Sequence, residues 1–205
     1  MVGDDAIGEL IHAIRSGQPV LLPTDTVYGL ATSADREDYA TRVYRLKGRP
    51  QTQPSALLAA DLDTLFDRVP ELRGRSETIV RELLPGPYTL VLPNPAGRYR
   101  WLTGNRADAI GVRVPELPAA AQRVLAAVGY VLATSANEPG GPDPVSLADV
   151  PDRIRQAVAA ELDVGPLPGT PSTVIDFTHA QPSVIRDGAG SAADAIERVR
   201  AALPG

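Results

Sequence analysis

The sequence predicts an α/β or α+β fold, with residues 1–205 read as a single domain built on a mixed β-sheet. Three observations carry that prediction. Short apolar runs of strand length alternate with segments of helical periodicity, but without the regular beat of a doubly wound parallel sheet. The 205 residues are 43% hydrophobic and 22% charged, a composition that buries a core without disulfides or a structural metal. The 20 prolines and 18 glycines fall as turn markers between those segments, and no repeat, low-complexity tract or convincing linker divides the chain.

Taken in order, Asp4 or Asp5 can cap a helix whose apolar positions Ile7, Leu10, Ile11 and Ile14 follow helical spacing, and Gly17 closes it. Residues 19–22 read as a buried strand, 23–29 as a polar turn and 30–33 as a second short strand. The segment 36–46 carries Tyr39, Val43 and Leu46 on one helical face and stops before Lys47, Gly48, Arg49 and Pro50. A strand at 55–59 precedes helices at 62–68 and 71–84, and the Pro85, Gly86, Pro87 run breaks the second of them. Strands follow at 88–92, 109–114 and 130–134, with a helix at 119–128 between the last two. Strands at 173–177 and 183–186 and a closing helix at 192–203 complete the reading. The Pro/Gly-rich stretches 138–144 and 165–171 read as long surface loops of the kind that line sites.

Composition removes several function classes. With no cysteine there is no thiolate catalysis and no Cys-ligated metal. A net charge of −5 argues against general nucleic-acid binding, so any tRNA contact is expected to be local and weak. The acidic N-terminus has no apolar run and no later stretch has membrane-spanning length, so a cytoplasmic protein without membrane association is expected. The two histidines, His12 and His179, offer little for a metal cluster, and no GxSxG accompanies them. Neither a GxxxxGK[ST] phosphate loop nor HExxH occurs. Residues 188–193 fit G-x-G-x-x-A, but no second strand or ribose-binding acid follows, and capping of the last helix explains them better.

What remains is a set of polar clusters at strand ends. Thr24, Asp25 and Thr26 crowd a turn; turn formation accounts for Asp25 and Gly29, but less well for the paired threonines. Lys47 and Arg49, with Gln53 beyond, follow a helix, where dipole compensation is the plain alternative for the lysine. Thr134, Ser135 and Asn137 end a buried strand. Arg113 lies inside the apolar strand at 109–114, and burying its guanidinium requires an anion from protein or ligand. Ser172 and Thr173 open one strand, and Arg186, Asp187 and Gly188 end another. Together they would put three arginines and a lysine in a crevice suited to an anionic substrate such as a nucleoside triphosphate.

These clusters, in this order, resemble the YrdC/TsaC family of threonylcarbamoyl-AMP synthases. The matching segments are PTDTVYGL from Pro23, KGRP from Lys47, PGPYTLVL from Pro85, WLTG from Trp101, GVRVP from Gly111, TSAN from Thr134, PST from Pro171 and IRDG from Ile185. The resemblance covers about the first nine-tenths of the chain. It implies a twisted, mostly mixed sheet flanked by helices around a large basic cavity. It also implies a reaction in which L-threonine, bicarbonate or CO2, and ATP with Mg2+ give threonylcarbamoyl-AMP and pyrophosphate. The product would pass to a tRNA threonylcarbamoyl-transferase complex. By motif position, threonine would meet Thr26, Arg113 and Ser172. ATP would meet Lys47, Arg49, Gln53, Ser135, Asn137 and Arg186, with Lys47 and Arg49 as the catalytic cations. The sequence departs from the family pattern at Leu58, where some members carry a histidine, and at Gln53, often Asn or Lys. Its length resembles the family's short form. Two rivals share these residues: a nucleotide- or RNA-binding module without catalysis, and an adenylate-forming enzyme that uses carbamoyl phosphate.

Overall fold

Alternation along each strand decides which face of the sheet a side chain serves, and that alternation organises the whole molecule. The computed structural model describes residues 3–203. Nine strands form one open, mixed, twisted sheet: β1 (Val20–Pro23), β2 (Tyr28–Thr32), β3 (Ala56–Ala59), β4 (Tyr88–Pro93), β5 (Ala109–Arg113), β6 (Tyr130–Ser135), β7 (Ala160–Glu161), β8 (Thr173–Asp176) and β9 (Ser183–Arg186). Their order is β7-β1-β2-β6-β3-β5-β4-β8-β9. The pairs β1/β7, β3/β5 and β4/β8 are parallel and the others antiparallel. The helices are α1 (Asp4–Arg15), α2 (Glu37–Lys47), α3 (Leu62–Arg68), α4 (Arg75–Leu83), α5 (Ala119–Val128), α6 (Asp152–Arg155) and α7 (Ala192–Ala202).

The first face is covered along most of its width. Leu21, Tyr28, Leu30, Leu132, Leu57, Val112, Ile110, Leu90 and Ile175 pack there against Val43 and Tyr44 of α2, Leu65 and Phe66 of α3, Ile79 and Val80 of α4, and Val199 of α7. The second face is half clad. Val20, Leu22, Ala31, Val131 and Leu58 meet Leu10 and Ile14 of α1 and Val124 and Leu125 of α5. Each leucine buried in these layers contributes about 2 kcal/mol from removal of apolar area from water. No residue of β4, β5, β8 or β9 joins this second core among the described residues. Their outward positions instead line a cavity: Thr89 and Val91 of β4; Ala109, Gly111 and Arg113 of β5; and Val174 of β8.

Most predicted elements stand within two residues of their expected limits, and the departures have physical causes. Asp4 and Asp5 do not cap α1; Gly3 occupies that position, and both acids sit in the first turn, where they face the positive end of the helix dipole. The second strand starts at Tyr28 and not at residue 30, because Pro23 pairs with Tyr28 across a tight hairpin. Helix α4 starts at Arg75 and not at residue 71, since Gly74 has φ +58°, outside helical space. Strand β7 and helix α6 were not expected, and two and four residues are too few to show a period. Among the described residues, no helix is long and apolar enough to cross a membrane.

Candidate functional site

The cavity over the bare half of the sheet holds about 530 Å3, and its donors fall into two groups. The first is built by the β1–β2 hairpin, β5, β8 and β9. Thr24 folds the hairpin: its hydroxyl donates to the Val27 carbonyl (2.7 Å) and accepts the N–H groups of Thr26 and Val27. With that proton committed, the Thr26 hydroxyl, 3.0 Å away, is left to donate to Thr24. The turn explains the paired threonines. It also delivers Asp25 to Arg113, whose Nη2 donates to Asp25 Oδ1 at 2.7 Å. Both side chains are buried, 9% and 11% exposed. Burial pushes the Arg113 pKa down, and the Asp25 carboxylate opposes that push. One guanidinium nitrogen, Nε, is buried with no hydrogen-bond partner among the described residues. On β8's approach, Ser172 shares a hydrogen bond with Thr89 (2.8 Å), while Arg186 donates through Nε and Nη2 to the Ser172 carbonyl (3.1 and 2.9 Å).

The second group comes from the end of α2 and the end of β6. Lys47 is the last residue of α2, and Gly48 follows in the left-handed region at φ +71°, which turns the chain so that Arg49 enters the cavity wall. Lys47 Nζ donates to the Ser135 carbonyl (2.5 Å), to Asn137 Oδ1 (2.6 Å) and weakly to Ser135 Oγ (3.4 Å). Three acceptors use all three ammonium protons, and none is a carboxylate. Burial, then the neighbouring Arg49 charge, lowers the Lys47 pKa to about 8. Arg49 donates through Nη1 to Thr134 Oγ1 (2.7 Å) and through Nη2 to the Pro54 carbonyl; its Nε has no partner among the described residues, and burial lowers its pKa.

The structure therefore brings Thr26, Arg49, Arg113, Ser135, Ser172 and Arg186 into one lining. Lys47 and Asn137 stand behind it, bonded to Ser135 and to each other. Gln53 does not join the lining; it sits exposed on the turn after Pro50, whose carbonyl accepts its N–H. Leu58 is buried in the cavity wall. Both histidines are exposed, and among the described residues no group of three metal-ligating side chains occurs. The G-x-G-x-x-A segment is a cap: Ser191 accepts the Asp194 N–H at the start of α7.

Sequence reasoning read Asp25 as a turn residue only and gave no site role to Ser55, Thr89 or Arg106. Arg106 lines the cavity and is held by Asp176 (2.5 Å) and Thr178 (2.9 Å). Burial would raise the Asp176 pKa, but the hydrogen bonds from Thr178 and Arg106 outweigh it and hold the carboxyl below its ordinary range. One signal was there to be read. Lys47 is the only lysine in the sequence, beside nineteen arginines. With Arg113 answered by Asp25 and Arg106 by Asp176, Arg49, Arg186 and Lys47 have no acid within ion-pair distance among the described residues. The lining itself contains no carboxylate among those residues, so the cavity carries an excess of about three positive charges.

The family model named for Sua5, YciO and YrdC, described as "Telomere recombination", matches residues 12–188. The chain belongs to the Sua5/YciO/YrdC family. It is 34% identical over 187 residues to the threonylcarbamoyl-AMP synthase of Pyrococcus abyssi, a match covering 91% of this chain and 54% of that protein. The chain thus spans about half the length of that relative. The crystal structure of P. abyssi Sua5 complexed with L-threonine superposes with a TM-score of 0.87 at 31% identity, over 99% of this chain and 59% of the other. The crystal structure of Escherichia coli YciO superposes with a TM-score of 0.81 at 28% identity, over 93% of both chains. The Sua5/YciO/YrdC fold is thereby that of this protein, and the twisted, mixed, helix-flanked sheet expected from the sequence is borne out.

Proposed function

We propose that the protein is an ATP-dependent L-threonylcarbamoyladenylate synthase, a nucleotidyltransferase that joins L-threonine, bicarbonate or CO2, and ATP into threonylcarbamoyl-AMP with release of pyrophosphate. The observation that carries the reading is the cavity with two donor groups, one built on Arg113 and hydroxyls and one on Arg49 and the end of β6. The first suits an amino acid: Arg113 Nε is free for a carboxylate, and Thr26 and Ser172 present hydroxyls beside it. The second suits phosphate oxygens. The relative crystallised with L-threonine supports the assignment of the first.

In this reading the threonine amine is carboxylated, and a carbamate oxygen attacks the α-phosphorus as pyrophosphate departs. The chain's own part is to hold two anions side by side and to neutralise the charge that grows on the leaving group. Arg49 and Arg186 contact the substrates. Lys47 acts through Ser135 and Asn137, fixing the β6 terminus against which the nucleotide lies. No side chain is assigned as general base. The donor set does not fit a resident Mg2+, since hard cations take carboxylate and carbonyl oxygens and the lining offers arginines and hydroxyls. Magnesium enters this proposal only as part of the nucleotide substrate, and no step is assigned to it. The labile product would be consumed by a tRNA-modifying transferase complex, in the cytoplasm.

The test is pyrophosphate release from ATP by the purified chain with Mg2+ and bicarbonate, run with L-threonine, with L-serine and without amino acid. Release that requires both threonine and bicarbonate is expected, with a loss of at least a hundredfold in Arg49→Ala and Arg113→Ala. Folded protein that binds ATP but releases no pyrophosphate in any condition would identify a nucleotide-binding module instead. Release supported by carbamoyl phosphate and indifferent to Arg113→Ala would identify the other adenylate-forming chemistry.

A further inference from the structure

Two consecutive residues of β9, Ile185 and Arg186, both line the cavity, although neighbours on a regular strand point to opposite faces. The cause is a bulge. Val174 of β8 stands opposite Arg186 while Ile175 stands opposite Val184, so Ile185 is the extra residue and is turned onto the cavity rim. There it is 59% exposed, and among the described residues only Val184 beside it is another large hydrophobic left exposed. Val91 and Val174, which line the cavity from the adjoining strands, are themselves only partly buried. An apolar shelf left open inside a cavity of ligand size matches an apolar face of the ligand.

Arg106 is anchored at the same end of the sheet. It falls in the stretch 105–110, between the two segments WLTG and GVRVP and outside both. Its Nη1 donates to Asp176 and its Nη2 to Thr178, and Asp176 pairs through its Cα with Val91 on one side and Ser183 on the other. Two residues of strand, about 7 Å, separate Asp176 from Val174 at the bulge, so Arg106 and Ile185 flank one spot on β8. Both terminal nitrogens of the guanidinium are tied down, which fixes its plane, while the side chain remains 43% exposed. Four strand spacings, from β8 through β4, β5 and β3 to β6, put this spot roughly 19 Å along the sheet from Thr134 and its partner Arg49.

We infer that Arg106 is a specificity-determining residue, whose guanidinium face, with the bulged Ile185, forms the slot for the heterocyclic base of the nucleotide. A flat ring covers the shelf of Val91, Val174 and Ile185 and takes the guanidinium as a stacking surface. Because the Nη edge of Arg106 is committed to Asp176 and Thr178, the residue holds a base by its face and does not read a base edge bidentately. Ring size then sets the affinity, purine above pyrimidine. That the occupant is a nucleotide rests on the synthase reading; the slot itself rests on the bulge and on the anchored guanidinium.

The experiment titrates ATP, CTP and inorganic tripolyphosphate calorimetrically into the full chain and into Ile185→Ser and Arg106→Met, without threonine, so that it does not depend on turnover. Wild type is expected to bind ATP more tightly than CTP and CTP more tightly than tripolyphosphate. Ile185→Ser should weaken ATP about tenfold and leave tripolyphosphate within about twofold. Arg106→Met should weaken ATP about fivefold beyond any change in tripolyphosphate, and the preference for ATP over CTP should shrink in both variants. Arg106→Met also strips Asp176 of its ion pair and can cost stability, whereas Ile185→Ser alters only an exposed side chain and should keep the wild-type melting temperature. ATP affinity unchanged in Ile185→Ser would overturn the slot. Equal weakening of ATP and tripolyphosphate by Arg106→Met would reduce Arg106 to a charge and overturn its part, and a loss of L-threonine binding in place of ATP binding would give the rim to the amino acid. A base-dependent loss in a protein that releases no pyrophosphate keeps the slot and removes the synthase reading; threonine-dependent release with ATP binding unchanged in both variants does the reverse.

Discussion

Asp25 and Arg113 meet across 88 positions of sequence, and the pair illustrates what a single residue does and does not announce. An arginine inside an apolar strand declares its need for an anion, because a buried unpaired guanidinium costs several kcal/mol. The identity of that anion was not legible. Asp25 stands where a turn welcomes an aspartate for local reasons, and nothing in its neighbours ties it to β5. Removing the partner should expose the cost: Asp25→Asn is expected to lower stability in urea by about 3 kcal/mol and to weaken threonine binding, because Arg113 loses the contact that fixes its orientation. A double variant with Arg113→Met should regain much of that stability but none of the binding. A loss below about 1 kcal/mol in Asp25→Asn would mean that the pair is no more than a surface contact.

At the level of elements, the long periodic segments were readable and the irregular ones were not. Helices α1, α2, α5 and α7 and the strands through β6 follow from spacing alone. The cavity group around Ser172 depends instead on a close approach that spacing does not encode. Strand β9 ends at Arg186, and Gly188 lies so near the preceding loop that an added Cβ would sit 2.2 Å from the Pro171 carbonyl oxygen and 2.6 Å from the Ser172 carbonyl carbon. Gly188→Ala must therefore push the backbone that carries Ser172, with an expected cost of about 2 kcal/mol in urea unfolding and a threonine KM raised more than the ATP KM. Gly8 is the matched control. It sits exposed within α1 with nothing within 4 Å of its would-be Cβ, so Gly8→Ala should stabilise by about 0.5 kcal/mol and leave both KM values alone. Equal effects at the two positions would refute the packing argument.

The molecule as a whole is a sheet clad on one face and half clad on the other, with cationic groups gathered where the missing helices would lie. That asymmetry was only partly foreseeable, since the sequence shows which strands are apolar on both sides but not which helix covers which half. Burial of a cation, and after it the neighbouring Arg49 charge, has a thermodynamic signature at Lys47. Its folded pKa of about 8 lies below the ordinary 10.5, so the unfolded chain keeps its proton to higher pH. The cost of the buried cation is fully present below pH 8 and lifts as pH rises from about 8 towards 10.5, so this group makes stability increase across that window. Its titration in the ligand-free protein should centre near pH 8 by NMR of the side-chain amine, and pyrophosphate in the cavity should move the midpoint upward. A midpoint unmoved by saturating pyrophosphate would separate Lys47 from the anion site.

The same residue bears on chemical self-protection. A mixed anhydride such as the proposed product is an acyl donor, and amines and thiols are the side chains it would damage. This sequence contains no cysteine and one lysine, and that lysine is 4% exposed, with its ammonium protons given to three acceptors. Every other basic side chain apart from the two exposed histidines is a guanidinium, protonated at any working pH and so inert towards acyl donors. The proposed adenylate, on leaving the cavity, would thus cross a surface with no cysteine and no exposed lysine to acylate.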